Sequence, residues 1–143
     1  MARATLGKEI YCVAKDETGL LGRIIYALAQ KNIFIVHLTA HTEGEMGHLR
    51  LIVSGDDFKK TKESIAYFIP QIEEREILIV EFENKVGTLA EVAKILGQNG
   101  VNVESVYGTS SDGFKIVGIF STADNQKACA LINQASGRPN PPA

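Results

Sequence analysis

The stretch Asp16-Glu17-Thr18-Gly19-Leu20-Leu21 returns 68 residues further on as Asn84-Lys85-Val86-Gly87-Thr88-Leu89. Both copies read polar residue, two residues, glycine, and each opens a helical pattern. Leu21, Ile24, Ile25 and Leu28 in the first copy recur as Leu89, Val92, Ala93 and Leu96 in the second. This is the i, i+3, i+4, i+7 stripe of an amphipathic helix with one buried face. A repeat at this period means two small modules of one design rather than one larger fold.

Upstream of each glycine lies a run rich in Val, Ile, Tyr and Phe, Ile10 to Ala14 and then Ile77 to Phe82, which predicts a strand. Downstream of each helix, Lys31-Asn32 and Asn99-Gly100 signal a turn into second strands, Ile33 to Ala40 and Val101 to Tyr107. Hairpin turns follow at Glu43 to Gly47 and Ser110 to Gly113, returning the chain through His48 to Ser54 and Phe114 to Ser121. Asp56 and Asp57 offer a cap for a helix ending by Pro70, and Thr122 or Asp124 can open its counterpart through Ile132. Gln71 to Arg75 supplies a closing strand for the first module and runs directly into the second.

The expected class is therefore α+β, with two ferredoxin-like (βαββαβ) modules in tandem over residues 8–75 and 76–133. Nothing after Ile132 reads as a last strand for the second module, and residues 134–143, ending in RPNPPA, read as a disordered tail. An unpaired Ile77 to Phe82 edge would invite aggregation, so it should pair with the other module or with a second chain. A homodimer is the expectation that follows. Modules of about 60 to 70 residues bury a small share of their surface, so two of them should support each other.

The two glycine loops resemble the first loop of ACT domains, and the resemblance covers about residues 8–133. The first copy is similar to the Asp-x-x-Gly-Leu-Leu version of signalling enzymes and tandem-ACT regulators. The second, GTLAEVAKILGQNGVNVESV, is similar to the version on regulated enzymes of amino-acid biosynthesis. The resemblance implies a small-molecule sensor that holds an amino acid against the strand-to-helix loop. It places Asp16, Gly19 and Leu20 in one such loop, and Asn84, Val86, Gly87, Thr88 and Leu89 in the other, as ligand-binding residues. Helix N-termini present unsatisfied N–H groups and partial positive charge, which suits a carboxylate. Asp16 or Asn84 would accept from the α-ammonium group, and the Asn84 amide both donates and accepts. The plainer alternative is that Asp16 and Asn84 only cap their helices and the glycines only permit the turn.

Other chemistry is poorly supported. A net charge of −2 with evenly scattered Lys and Arg gives no basic stripe for nucleic acid. No segment approaches the length of an apolar membrane span, and the N-terminus lacks a signal-like run, so the expected location is cytoplasmic. Phosphate-loop, dinucleotide, HExxH and GxSxG motifs are missing, which predicts a non-catalytic chain without a cofactor. Cys12 and Cys129 read as two buried, unpaired thiols. His37, His41 and His48, with Glu43 and Glu45 nearby, are read as ordinary surface polarity on a hairpin, and no metal site is assigned. Ile35 and Val103 should face the helices. The expected function is regulatory amino-acid binding, with a metabolic enzyme or other regulator as partner. A ligand-independent interaction module, acting as regulatory subunit or transcription co-regulator, is the alternative, and an enzyme on the same scaffold ranks third.

Overall fold

The computed structural model describes residues 2–137. Its elements are β1 (Arg3–Lys15), α1 (Leu20–Gln30), β2 (Ile35–Glu43), β3 (Met46–Val53), α2 (Phe58–Ala66), β4 (Gln71–Glu83), α3 (Thr88–Gln98), β5 (Val103–Thr109), β6 (Lys115–Thr122) and α4 (Asn125–Ala135). They form two compact units, an N-terminal unit of Lys8–Arg75 and a C-terminal unit that joins the segment before Lys8 to the chain from Glu76 onward.

In the N-terminal unit the strand order is β2-β3-β1-β4, with the second half of β1 and the start of β4 taking part. β1 pairs antiparallel with β3, Ile10 opposite Leu51 and Cys12 opposite Leu49, and β3 pairs in turn with β2. Alternation along these strands puts Ile10, Cys12, Leu49 and Leu51 on one face. There they pack with Ile24 and Leu28 of α1 and Ile65 of α2. Ile35 joins the edge of this core as expected.

The C-terminal unit repeats the plan with order β1-β4-β6-β5, and its core sets Leu78, Val80, Phe82 and Phe120 against Val92 and Leu96 of α3 and Cys129 and Ile132 of α4. Val103 packs at its margin. The sequence after α4 supplies no further strand among the described residues, as expected. The edge of β4 is nevertheless covered, by the chain's own residues 3–7 rather than by the partners expected for it. Arg3 pairs with Glu81 at 2.7 Å while Gly7 lies beside Ile77 and Ile79, so the two segments run in opposite directions. Ala4 is buried in this core, and Asn133 of α4 both accepts from its N–H and donates to its carbonyl, each at 2.9 Å.

Helix ends explain why the two units look alike. α1 starts at Gly19 (φ +88°) and α3 at Gly87 (φ +94°), a backbone conformation that costs residues with a Cβ about 1–2 kcal/mol. Both helices stop at a second left-handed residue, Asn32 and Gly100. The next N–H then bonds back five residues, Ile33 to the Leu28 carbonyl and Val101 to that of Leu96. This is the Schellman closure, with Ile33 and Val101 buried as its apolar contacts.

Other boundaries shift modestly. α2 begins at Phe58 after a 3-10 turn over Gly55–Asp57, and it stops at Ala66, before Pro70. Asp124 caps α4 by accepting from the Lys127 N–H. That helix continues to Ala135, so the tail expected from residue 134 begins inside an ordered helix; residues 138–143 lie outside the described residues. Cys12 and Cys129 are both buried and free, in different cores.

Candidate functional site

The two glycine loops share a backbone frame. The N–H of Asp16 donates to the Glu45 carbonyl and the N–H of Asn84 to the Phe114 carbonyl, each at 2.8 Å, so each loop hangs from the hairpin of its own unit. Arg23 N–H reaches Gly19 O in one copy and Glu91 N–H reaches Gly87 O in the other, which sets the first helical turn. Neither helix receives a side-chain cap. Capping is therefore not what Asp16 and Asn84 do; the Leu20 and Thr88 N–H groups each donate to a loop carbonyl at 3.3 Å, of Glu17 and Lys85, and the first-turn amides that follow them are the ones available to a ligand or to water.

The side chains of the two loops differ. In the C-terminal unit the Asn84 Nδ2–H donates to the Gly113 carbonyl at 3.0 Å, and the Thr88 hydroxyl lies 2.7 Å from the Glu83 carbonyl and 2.9 Å from that of Lys85. Both groups are thus engaged inside their own loop. Lys85 and Glu83 form an ion pair at 2.7 Å; its hydrogen bond and charge hold the Glu83 carboxyl below the usual range and raise the Lys85 ammonium. Thr88 borders a shallow cleft of about 100 Å³ with Phe82, Glu91 and Ile132. Val86 projects into solvent and Leu89 is half exposed, so the structure does not gather the five residues of this loop around one cavity.

The N-terminal unit does gather its loop. A cavity of about 240 Å³ lies against Asp16, Glu17, Gly19, Leu20 and Leu21, with Cys12, Ala14, Ile24, Leu49 and Ile69 as apolar wall. Ala40, His41, Thr42, Gly47 and His48 of the hairpin complete it. Asp16, Gly19 and Leu20 are the residues expected from sequence. The hairpin residues were missed because they reach the loop only through the register of β1, β3 and β2, in which Ala14 pairs with Gly47 and Gly47 with Thr42. Glu17, on the cavity wall, pairs with Arg23 of α1. Burial pushes the Cys12 thiol up to about 12, so this wall is a neutral thiol and not a nucleophile.

Beside the cavity, His41 and His48 stack across the hairpin with ring centroids 4.8 Å apart, and Glu43 Oε2 lies 4.0 Å from His48 Nε2. His48 Nδ1 is 2.5 Å from the Tyr11 hydroxyl. His37 stands outside this group. Among the described residues no helix is long and apolar enough to cross a membrane.

Residues 77–131 match the family model of the ACT domain. The chain thus contains an ACT domain. The match falls in the C-terminal unit, and the N-terminal unit repeats its element order and its glycine loop. No curated protein matches the sequence. Among solved structures, protein BT0572 from Bacteroides thetaiotaomicron is similar, with a TM-score of 0.83, 21% identity, and 93% of this chain and 90% of that one covered. The regulatory subunit of aspartate kinase from Thermus thermophilus, in a ligand-free form, aligns at TM-score 0.67 and 17% identity over 92% and 95% of the two chains. E. coli aspartokinase III, in a complex with lysine and aspartate, aligns at 0.58 and 15% over 95% of this chain and 32% of that one. At these identities the likeness establishes the shared fold. The ACT match supports a regulatory, ligand-binding role.

Proposed function

We propose that this ACT-domain protein is a non-catalytic sensor of a free α-amino acid, and that the ligand sits in the cavity under the Gly19 loop. The observation that carries the reading is the polarity of that cavity. At one end the uncapped start of α1 offers N–H groups and a partial positive charge, which suits a carboxylate. Asp16 and Glu17 line the same space and suit an ammonium group. A zwitterion carries both. The volume, about 240 Å³, falls below the range of about 300–1,000 Å³ typical of drug-sized sites, which favours a small metabolite. Aspartokinase III, which shares the fold, was solved with lysine and aspartate; that precedent and the ACT match support an amino acid as the class of ligand here.

Loading this site would change the affinity of the chain for a regulated enzyme, in cytoplasmic surroundings. The Asn84 loop is a weaker second site, since its amide and its threonine hydroxyl are already used by neighbouring carbonyls.

A thermal-shift screen against the common amino acids tests the reading, because a ligand bound only to the native state stabilises it by about 2.7 kcal/mol at 100 times its Kd. One hit abolished in Asp16→Asn and in Gly19→Val, yet kept in Asn84→Ala, is the expected outcome. Silence of every amino acid at millimolar concentration would overturn the sensor reading and favour the ligand-independent interaction module.

A further inference from the structure

His41 and His48 at the tip of the β2–β3 hairpin border the amino-acid cavity, but with Glu43 they form a donor cluster to which the amino-acid reading gives no role, and its chemistry is of another kind. His41 and His48 are direct partners across the hairpin, and Glu43 lies two residues beyond His41 on the same face. One ligand atom from each of the three lies within 4.8 Å of the others. Pairing continues to Glu43 opposite Met46, and the turn is closed by Gly44 at φ +61°. The donors therefore stand on regular strands rather than on a mobile loop.

We propose that His41, His48 and Glu43 form a binding site for one divalent transition-metal ion of the zinc, nickel or copper kind. Two imidazoles and a carboxylate are the donor set such ions take, with water in the remaining position. Zinc bonds of about 2.0–2.1 Å at tetrahedral angles put donors about 3.3 Å apart. Closing from the present separations takes rotation of the exposed His41 and Glu43 side chains, with the backbone left in place.

The second observation is the support behind His48. Metal-binding histidines characteristically donate their other ring N–H to a fixed acceptor, which sets the tautomer and aims the lone pair. Here the Tyr11 hydroxyl oxygen lies 2.5 Å from Nδ1, which leaves Nε2 turned toward Glu43. Tyr11 is itself held, with the Arg75 guanidinium 3.8 Å and that of Arg50 5.2 Å from its ring centroid. Ordinary surface polarity, the reading from sequence, does not require a tyrosine locked in this place. The inference is independent of any amino-acid ligand.

The test uses tag-free, full-length protein stripped with a chelator and titrated with ZnCl2 in competition with a chromophoric indicator, and with CoCl2 read by visible absorption. One ion per chain is expected, with Co2+ giving the bands of a four- or five-coordinate site. His41→Ala and His48→Ala should each weaken binding at least about 100-fold, Tyr11→Phe by about 10-fold as for other supporting residues, and His37→Ala not at all. Circular dichroism of each variant separates lost binding from lost folding, and Glu43→Gln, at an exposed position, gives a variant that stays folded and should still weaken binding. Wild-type protein that takes up no stoichiometric ion, or binding that survives in folded His41→Ala and Glu43→Gln, would overturn the site.

Discussion

Replacing Asn133 by alanine isolates the claim that residues 3–7 belong to the C-terminal unit. The Asn133 side chain meets both polar groups of Ala4, accepting from its N–H and donating to its carbonyl, and both residues are 1% exposed. Alanine removes both bonds, strips the Ala4 N–H of this partner and leaves the Ala4 carbonyl only the longer contact from the Cys129 thiol at 3.5 Å. A buried polar group stripped of its partner costs about 1–3 kcal/mol, so the loss runs from that of one such group up to about 6 kcal/mol for two. A unit of this size is stable by roughly 0.05–0.15 kcal/mol per residue, so the loss is a large part of what holds it folded. Urea denaturation gives the magnitude, and hydrogen exchange shows whether the protection lost lies in residues 76–137. Asn133→Asp is the sharper companion: it keeps the acceptor for the Ala4 N–H, loses the donor, and sets a carboxylate against the Ala4 carbonyl. It should be at least as damaging at neutral pH. A loss under about 0.5 kcal/mol in Asn133→Ala, below the cost of even one orphaned buried group, would refute the reasoning. So would native-like exchange protection in a chain lacking residues 2–7.

Two further outcomes follow from groups buried in the N-terminal unit. Burial raises the Glu9 carboxyl above its ordinary value of 4.5, against the opposing charges of Arg50 and Arg75, and its Oε2 has no hydrogen-bond partner. A folded-state value above the unfolded one gives stability that is complete below the unfolded value and is lost as pH rises through the folded one. The contribution of Glu9 to stability should therefore fall from about pH 4.5 upward, read as the difference between urea titrations of the wild type and Glu9→Gln; a difference that does not change with pH would refute it. The Cys12 thiol, pushed up to about 12 by burial, should resist a disulfide reagent at pH 8 in the native protein and react at once in denaturant. Rapid native labelling of Cys12, mapped by mass spectrometry, would show that the cavity wall opens.

The features that were legible in the sequence are those carried by local chemistry. The repeat at 68 residues, the apolar stripes of α1 and α3, and the stops at Asn32 and Gly100 each depend on residues within one or two turns of chain. Where partners are distant, the sequence is silent. Ala4 and Leu6 do alternate toward the core of the C-terminal unit. Gly7 and Lys8 interrupt the apolar pattern before Ile10, and the partners of residues 3–7 lie 70 or more residues away in β4 and α4. The hairpin half of the cavity was hidden for the same reason, since His41, Thr42, Gly47 and His48 reach the Gly19 loop only by strand register.

The difference between the two copies comes down to one functional group. At the first position of each loop the backbone N–H bonds to a hairpin carbonyl, and so far the copies agree. Asn84 then uses its amide N–H to bind the Gly113 carbonyl, which ties the side chain to the hairpin. The Asp16 side chain has no N–H to give, and a carboxylate is repelled by a carbonyl oxygen rather than bound by it. Its oxygen instead lies 4.0 Å from where a Cβ on Gly47 would stand, a space that the glycine keeps open. An amide in one copy closes its loop onto the hairpin; a carboxylate in the other leaves the loop facing a cavity. From sequence, Asn84 offers an amino acid a group that can both donate and accept. In the folded chain that same donor is what occupies it, and the acceptor-only Asp16 is the group with a cavity to face.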